Sequence, residues 1–260
     1  MHPAMCVTLS WDDGHPLDLR IADMMSRHHL RGTFYVSRTA ECGTMSAAQI
    51  RELSQTFEVG AHTLSHVVLT QAHDRRAHEE IFGARKWLED ITGKPCSLFC
   101  PPSGRYSGRH LRMIEQAGYR AVRTVELLSL DWPRQEGALL SMPTSVQAWS
   151  HSTRSYLQNI AKRGSFQNLW RYLAHGRAAD WPELSRIIFA EARRHGGVFH
   201  LWAHSWEIEG CQAWGRLDDV MRFLTDRHHE TSALTNGEVC GVGTLRFPTF
   251  AASAKPIVYS

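Results

Sequence analysis

Short apolar runs and amphipathic stretches alternate about seven times along this chain of 260 residues. That alternation limits the fold more than any other feature, because parallel strands need a crossover, usually helical, and crossovers have one hand. Met5 to Leu9, Thr33 to Val36, Phe57 to Ala61, Ser97 to Phe99, Tyr119 to Thr124 and Val198 to Ala203 read as strands. Leu17 to Leu30 reads as a helix, with Leu17, Ile21, Met24, Met25 and His28 on one face. Ser46 is a good N-cap for a helix over Ala47 to Gln55. Asp74 to Thr92 and Arg109 to Ala117 follow as helices, the second stopped by Gly118. From Leu128 to Pro143 the pattern weakens. Ser152 to Leu173, Glu183 to His195 (begun by Trp181-Pro182) and Leu217 to Arg227 read as the later helices, and the tail from Pro248 as irregular surface. The expectation is an α/β fold built from βαβ units around a parallel sheet, open or closed. No G-x-G-x-x-G follows a strand, which disfavours a dinucleotide-binding domain.

The polar residues sit where such a fold would use them. Asp12, Asp13, His62, the Pro101-Pro102 loop and His204 each lie just past the C-terminal end of a predicted strand. In a (β/α) barrel those ends converge on one face, which holds the active site. Asp12 and Asp13 are neighbours on an extended chain and point opposite ways, so they should do different jobs. Taken alone, Ser10-Trp11-Asp12-Asp13-Gly14 would also read as an ordinary Asp-Gly turn. His62-Thr63-Leu64-Ser65-His66 has the spacing that suits two imidazoles on one divalent cation. His200 and His204 share that spacing, so the strand-end context carries the argument rather than the spacing. An acid at another strand end would complete two histidines and leave positions open for water and substrate.

Composition narrows the partners. A net charge of +3 is too mild to argue for nucleic acid. The six Cys form no Cys-x-x-Cys pair, which reads as free thiols in a reducing compartment. The first strand begins within five residues of Met1, leaving no room for a leader, and no run approaches a membrane span. A cytoplasmic protein is expected, as one domain over residues 1–260 with a helical elaboration around 149–195. That elaboration interleaves Lys162, Arg163, Arg171, Arg177, Arg186, Arg193 and Arg194 with Tyr156, Phe166, Trp170, Tyr172 and Trp181. It suits a substrate lid or a membrane-surface patch. Helices packed on the barrel with a solvated basic face are the favoured reading.

Ser-Trp-Asp-Asp-Gly at 10–14, His-Thr-Leu-Ser-His at 62–66, Pro-Pro-Ser-Gly at 101–104 and Trp-Ala-His at 202–204 together resemble the ordered motifs of the polysaccharide deacetylase family. This is the NodB-homology group, or carbohydrate esterase family four. The resemblance runs from about Val7 to His204. It implies a distorted (β/α) barrel, here of about seven parallel strands, and metal-dependent removal of acetyl groups from sugars. It implies that Asp12 is the general base and His204 the general acid. Asp13, His62 and His66 would bind the metal: Zn2+ first, Co2+ or Ni2+ as alternatives. The amide near Ser103 would help hold an oxyanion. Pro102, Ser103, Arg105 and Trp202 are the expected substrate contacts.

Two motifs depart from the pattern. The third normally starts with Arg and carries Tyr before Gly, where this chain has Cys100 and Ser103. Arg105 is then the candidate to orient the base carboxylate. In the fifth, Trp202 takes a Leu position and would wall the acyl pocket. Ser129-Leu130-Asp131-Trp132 lacks the first acid of a fourth motif, so Asp131 reads as surface turn. His200 reads as a buried, hydrogen-bonded histidine and Cys100 as filler beside the site. Arg123 would meet a substrate anion or, more commonly, form a structural salt bridge. Trp206 and Glu207 suit a pocket wall and a surface loop equally. The expected function is removal of an N-linked acyl group from an amino sugar, as a small-molecule or lipid-linked conjugate. The alternatives are a carbohydrate-binding pseudoenzyme and a same-fold amidohydrolase or deformylase.

Overall fold

The computed structural model describes residues 4–163, 165–176, 180–227 and 231–242. Arg177 and the tail from Pro248 lie outside the described residues. The strands are β1 (Met5–Trp11), β2 (Gly32–Val36), β3 (Glu58–Ala61), β4 (Leu98–Phe99), β5 (Ala121–Arg123), β6 (Arg134–Glu136), β7 (Leu139–Met142), β8 (Val146–Gln147), β9 (Gly197–Ala203) and β10 (Ser232–Ala233). Among the described residues they form one sheet in the order β6-β7-β5-β4-β3-β2-β1-β9-β8, with β10 beside the start of β1. Every pairing is parallel except β6 with β7. The sheet therefore holds more strands than the seven expected. The strands with no counterpart among the runs read from the sequence are β6, β7 and β8, within or beside the weak stretch, and β10. β6 is an edge strand exposed at all three residues (Arg134, Gln135, Glu136), so it carries no apolar alternation to read.

The helices are α1 (Asp18–Arg27), α2 (Ala47–Thr56), α3 (Asp74–Thr92), α4 (Gly108–Gln116), α5 (Thr153–Arg163), α6 (Phe166–Arg171), α7 (Trp181–His195), α8 (Ser205–Gly210), α9 (Trp214–Thr225) and α10 (Asn236–Val239). Ser46 caps α2, reciprocally with Gln49. The single helix expected over Ser152 to Leu173 is instead broken. Ser165 accepts a hydrogen bond from the Asn168 amide and starts α6 afresh, and a wide turn over Tyr172–Gly176 follows. Among the described residues no helix is long and apolar enough to cross a membrane.

Strand alternation divides the core into two layers. Val7, Leu9 and Trp11 of β1, Phe34 and Val36 of β2, Phe99 of β4, Val122 of β5 and Phe199 and Leu201 of β9 pack outward under the helices. Cys6, Tyr35, Leu98, Cys100, Ala121, Met142 and Val198 face the other way and meet in a smaller cluster. Residues of six strands meet there because the sheet is curled into an incomplete barrel. Val242, beside α10, joins that cluster and Leu234 packs on it, so the segment over β10 and α10 plugs the N-terminal end. Gly60 makes room inside: a Cβ there would lie 2.7 Å from the Tyr35 ring.

Candidate active site

Inward parity, carried one residue past the strands, builds the site. On β1 the inward residues run Cys6, Thr8, Ser10 and then Asp12, whose amide still donates to the Ala203 carbonyl at 3.1 Å. The same step takes β3 to His62, β4 to Cys100 and β9 through Val198, His200 and Trp202 toward His204, and the same parity puts Arg123 inward as the last residue of β5. All these ends are the C-terminal ends of parallel strands, so residues from across the sequence share one mouth.

Asp12 is buried, and one oxygen accepts a hydrogen bond from the Arg123 guanidinium. Burial alone would raise the Asp12 pKa. The Arg123 charge, His62, His204 and the Arg123 bond together hold it below the usual carboxylate range. Arg123 is also wholly buried, with its guanidinium over the Trp202 ring at 4.6 Å and the Tyr35 ring at 5.3 Å. This corrects the expectation for Arg105: it is exposed and lines a cavity instead, while Arg123 holds the acid. Cys100 lies beside the same carboxylate, its sulfur 3.8 Å from the other Asp12 oxygen, with burial pushing the thiol up.

Asp13 leaves the strand with a φ of 79°, followed by Gly14 at 73°. A Cβ at Gly14 would sit 2.9 Å from the Val36 Cβ, so the turn needs glycine for space as well as for φ. One Asp13 oxygen lies 3.4 Å from His62 Nε2 and 3.1 Å from His66 Nε2. The other accepts from the Trp206 indole N–H at 2.8 Å. His66 and Thr63 have φ values of 52° and 61°. These left-handed residues are a local cost that cross-bonding must offset. Much of that bonding comes from Glu80 on α3, buried and tied to the Ser65 amide at 2.7 Å, the Ser65 hydroxyl at 2.5 Å and Arg76 at 2.6 Å. His62 Nδ1 lies 2.7 Å from the Cys100 carbonyl and donates to it, which leaves the Nε2 lone pair facing Asp13.

These atoms fit a divalent cation. The shared Asp13 oxygen is buried and has no hydrogen-bond partner, so electron-rich atoms face one another across 3.1–3.4 Å. Tetrahedral coordination with bonds of about 2.1 Å separates ligand atoms by about 3.4 Å. A second grouping of Asp12, His62 and Cys100 also converges, but there the carboxylate is engaged by Arg123 and burial keeps the thiol protonated.

His204 stands across the mouth, between the rings of Trp202 (5.5 Å) and Trp206 (5.3 Å). Its Nδ1 lies 2.7 Å from a Glu207 oxygen. Burial works to lower its pKa, but the Glu207 bond and the charges of Asp12 and Asp13 outweigh that and push it up to about 9. His200 is buried beneath, bonded to Ser10 and the Pro143 carbonyl, with burial as the first cause of a pKa lowered to about 3. Pro102 is buried and starts a short turn over Pro102–Gly104, in which Ser103 has a φ of 56°. Gly104 and Arg105 close that turn onto Pro101 and Pro102, so the Ser103 amide is not one of the closing bonds. Asp131 pairs with Arg134 at the surface.

Sequence reasoning did not assign three of these partners. Glu80 is a lone acid in the apolar stripe Ala77, Ile81, Ala84, Leu88 of α3, which is the signal that could have found it. Glu207 sits three residues after His204, a helical spacing that only the short α8 makes into a contact. Trp206 carries no sequence signal for its bond to Asp13.

A curled parallel sheet with carboxylates and histidines gathered at its C-terminal mouth defines the class: an α/β-barrel protein with a mouth built for chemistry. Residues 2–122 match the family model described as polysaccharide deacetylase. A peptidoglycan-N-acetylglucosamine deacetylase of Bacillus cereus is 23% identical over 119 residues, 45% of this chain and 54% of that protein. The chain thus spans about half the length of that relative. Solved structures share the fold. A candidate polysaccharide deacetylase from Mycobacterium smegmatis superposes with a TM-score of 0.70 at 13% identity, covering 93% of this chain and 90% of that one. The chitin deacetylase of Colletotrichum lindemuthianum does so at 0.58 and 14%, covering 95% and 93%.

Proposed function

We propose that this chain is a metal-dependent hydrolase that removes an N-linked acyl group, acetyl first, from an amino sugar or sugar conjugate. The observation that carries the reading is the divergence of Asp12 and Asp13. One is held ionised by Arg123, and the other faces two imidazoles with an unpartnered oxygen. Asp13, His62 and His66 would hold the cation, Zn2+ first. When bound it would polarise the acyl carbonyl and lower the pKa of a water. Asp12 takes the proton of the attacking water as a C–O bond forms. His204, its Nδ1 engaged by Glu207, delivers a proton from Nε2 to the nitrogen as the C–N bond breaks, leaving a carboxylate and an amine. The Ser103 amide is the candidate donor to the oxyanion. A pseudoenzyme is disfavoured, since both the base and the acid keep partners that hold them in working protonation states.

Elemental analysis of wild type and His66→Ala tests the site: about one ion per wild-type chain, lost in the variant, is expected. Asp12→Asn should retain the ion and release no acetate from N-acetylglucosamine conjugates. Undiminished release would remove Asp12 as the base.

A further inference from the structure

Beside His204 lies a cavity of about 440 Å³ between the Pro102–Gly104 turn, β8 and α5. The proposed chemistry uses His204 and Ser103 of its lining and leaves Arg105 and Lys162 without a role. Among the described residues no Asp or Glu lines it, while Arg105 and Lys162 both do. Neither is held by an ion pair among the described residues, in a structure where many of the other arginines are paired. Other polar groups of the lining are committed. Asn159 is bonded at both ends of its amide, to the Leu127 amide and the Val125 carbonyl. Gln147 is bonded to His151 and Glu207. Glu207, the acid behind His204, is itself taken up by His204 and Gln147. Trp202, only 5% exposed, completes the wall next to His204.

The walls thus combine two unneutralised cations with no carboxylate to answer them. Such a set calls for an oxygen-rich anion, because a cation-lined recess attracts negative charge. A neutral glycan would leave those charges unanswered. We propose that this cavity is a subsite for a phosphate group carried by the substrate, with Arg105 and Lys162 as its cationic contacts, so that the sugar is presented as a phosphate-linked conjugate. The position of the sugar rests on the function proposed above. The subsite itself rests on the lining alone.

The test uses a deacylated probe, so that it needs no turnover. Glucosamine 1-phosphate, glucosamine and inorganic phosphate are titrated calorimetrically into the full chain, wild type, Arg105→Gln and Lys162→Gln. Arg154→Gln, an exposed change on α5 outside the cavity, is the control. Expected is binding of glucosamine 1-phosphate at least tenfold tighter than of glucosamine or inorganic phosphate. Each cavity variant should lose about tenfold, as for a charge-assisted hydrogen bond, and the control should lose nothing. Equal binding of the sugar with and without phosphate would overturn the subsite. So would binding of the conjugate no tighter than of inorganic phosphate, or equal loss in the control. If acetate release fails while this pattern holds, the hydrolase reading falls and the subsite stands.

Discussion

Asp12, Asp13 and His204 differ in what holds them, and that decides how each responds to change. Arg123 and Asp12 are both buried, so each is the other's counter-charge. Replacing Arg123 with Met leaves a buried carboxylate unpaired and should destabilise by about 3–5 kcal/mol. Urea denaturation measures that, and a value below about 1 kcal/mol would contradict the pairing. His204 is pushed up to about 9, above its ordinary value of about 6.5. Its proton-linked stability is therefore complete below about 6.5 and is lost as pH rises through about 9. If protonated His204 is the acid, kcat/KM falls as pH rises through the same range. Glu207→Gln removes a cause that raises the pKa, so the alkaline limb should move to lower pH. A bound cation lowers the limb in both proteins, so the two profiles are compared at equal metal content. An unmoved limb would exclude Glu207 as the partner that sets the acid.

Among the elements, α3 matters beyond its packing. Its apolar face seals the barrel, while Glu80 reaches up to clamp the loop that carries His62 and His66. With Thr63 and His66 at positive φ, that loop depends on the clamp for its shape. Glu80→Gln keeps the volume but exchanges one acceptor for a donor. Metal affinity by chelator competition should fall about 10–100-fold, with the fold intact by circular dichroism. Unchanged affinity would assign Glu80 to packing alone. α1, α2 and α3 are readable because their apolar spacing, and for α2 the Ser46 cap, are local. α5 and α6 read as one helix in the sequence because only Gly164 and Ser165 stand between two helical patterns, and the Ser165 capping bond is a matter of backbone path.

Across the whole molecule, the proposed metal site ties the ends of β1 and β3 together. A ligand that binds the native state stabilises it by mass action. Chelation should therefore lower the Tm of wild type by several degrees and leave that of His66→Ala unchanged. Equal shifts in both would place the cation elsewhere. Local sequence determined the alternation of strand and helix, the position of acids and histidines just past strand ends, and the opposed directions of Asp12 and Asp13, because these follow from residue spacing along one element. Only the tertiary structure decided that Arg123 rather than Arg105 holds Asp12. Arg105 is nearer in sequence to Cys100, where the family's arginine would stand. Arg123 instead occupies the inward parity of β5, and curling the sheet brings that position beside β1. Glu80 and Glu207 were hidden for the same reason: which charge meets which is set by how elements cross, not by their order in the chain.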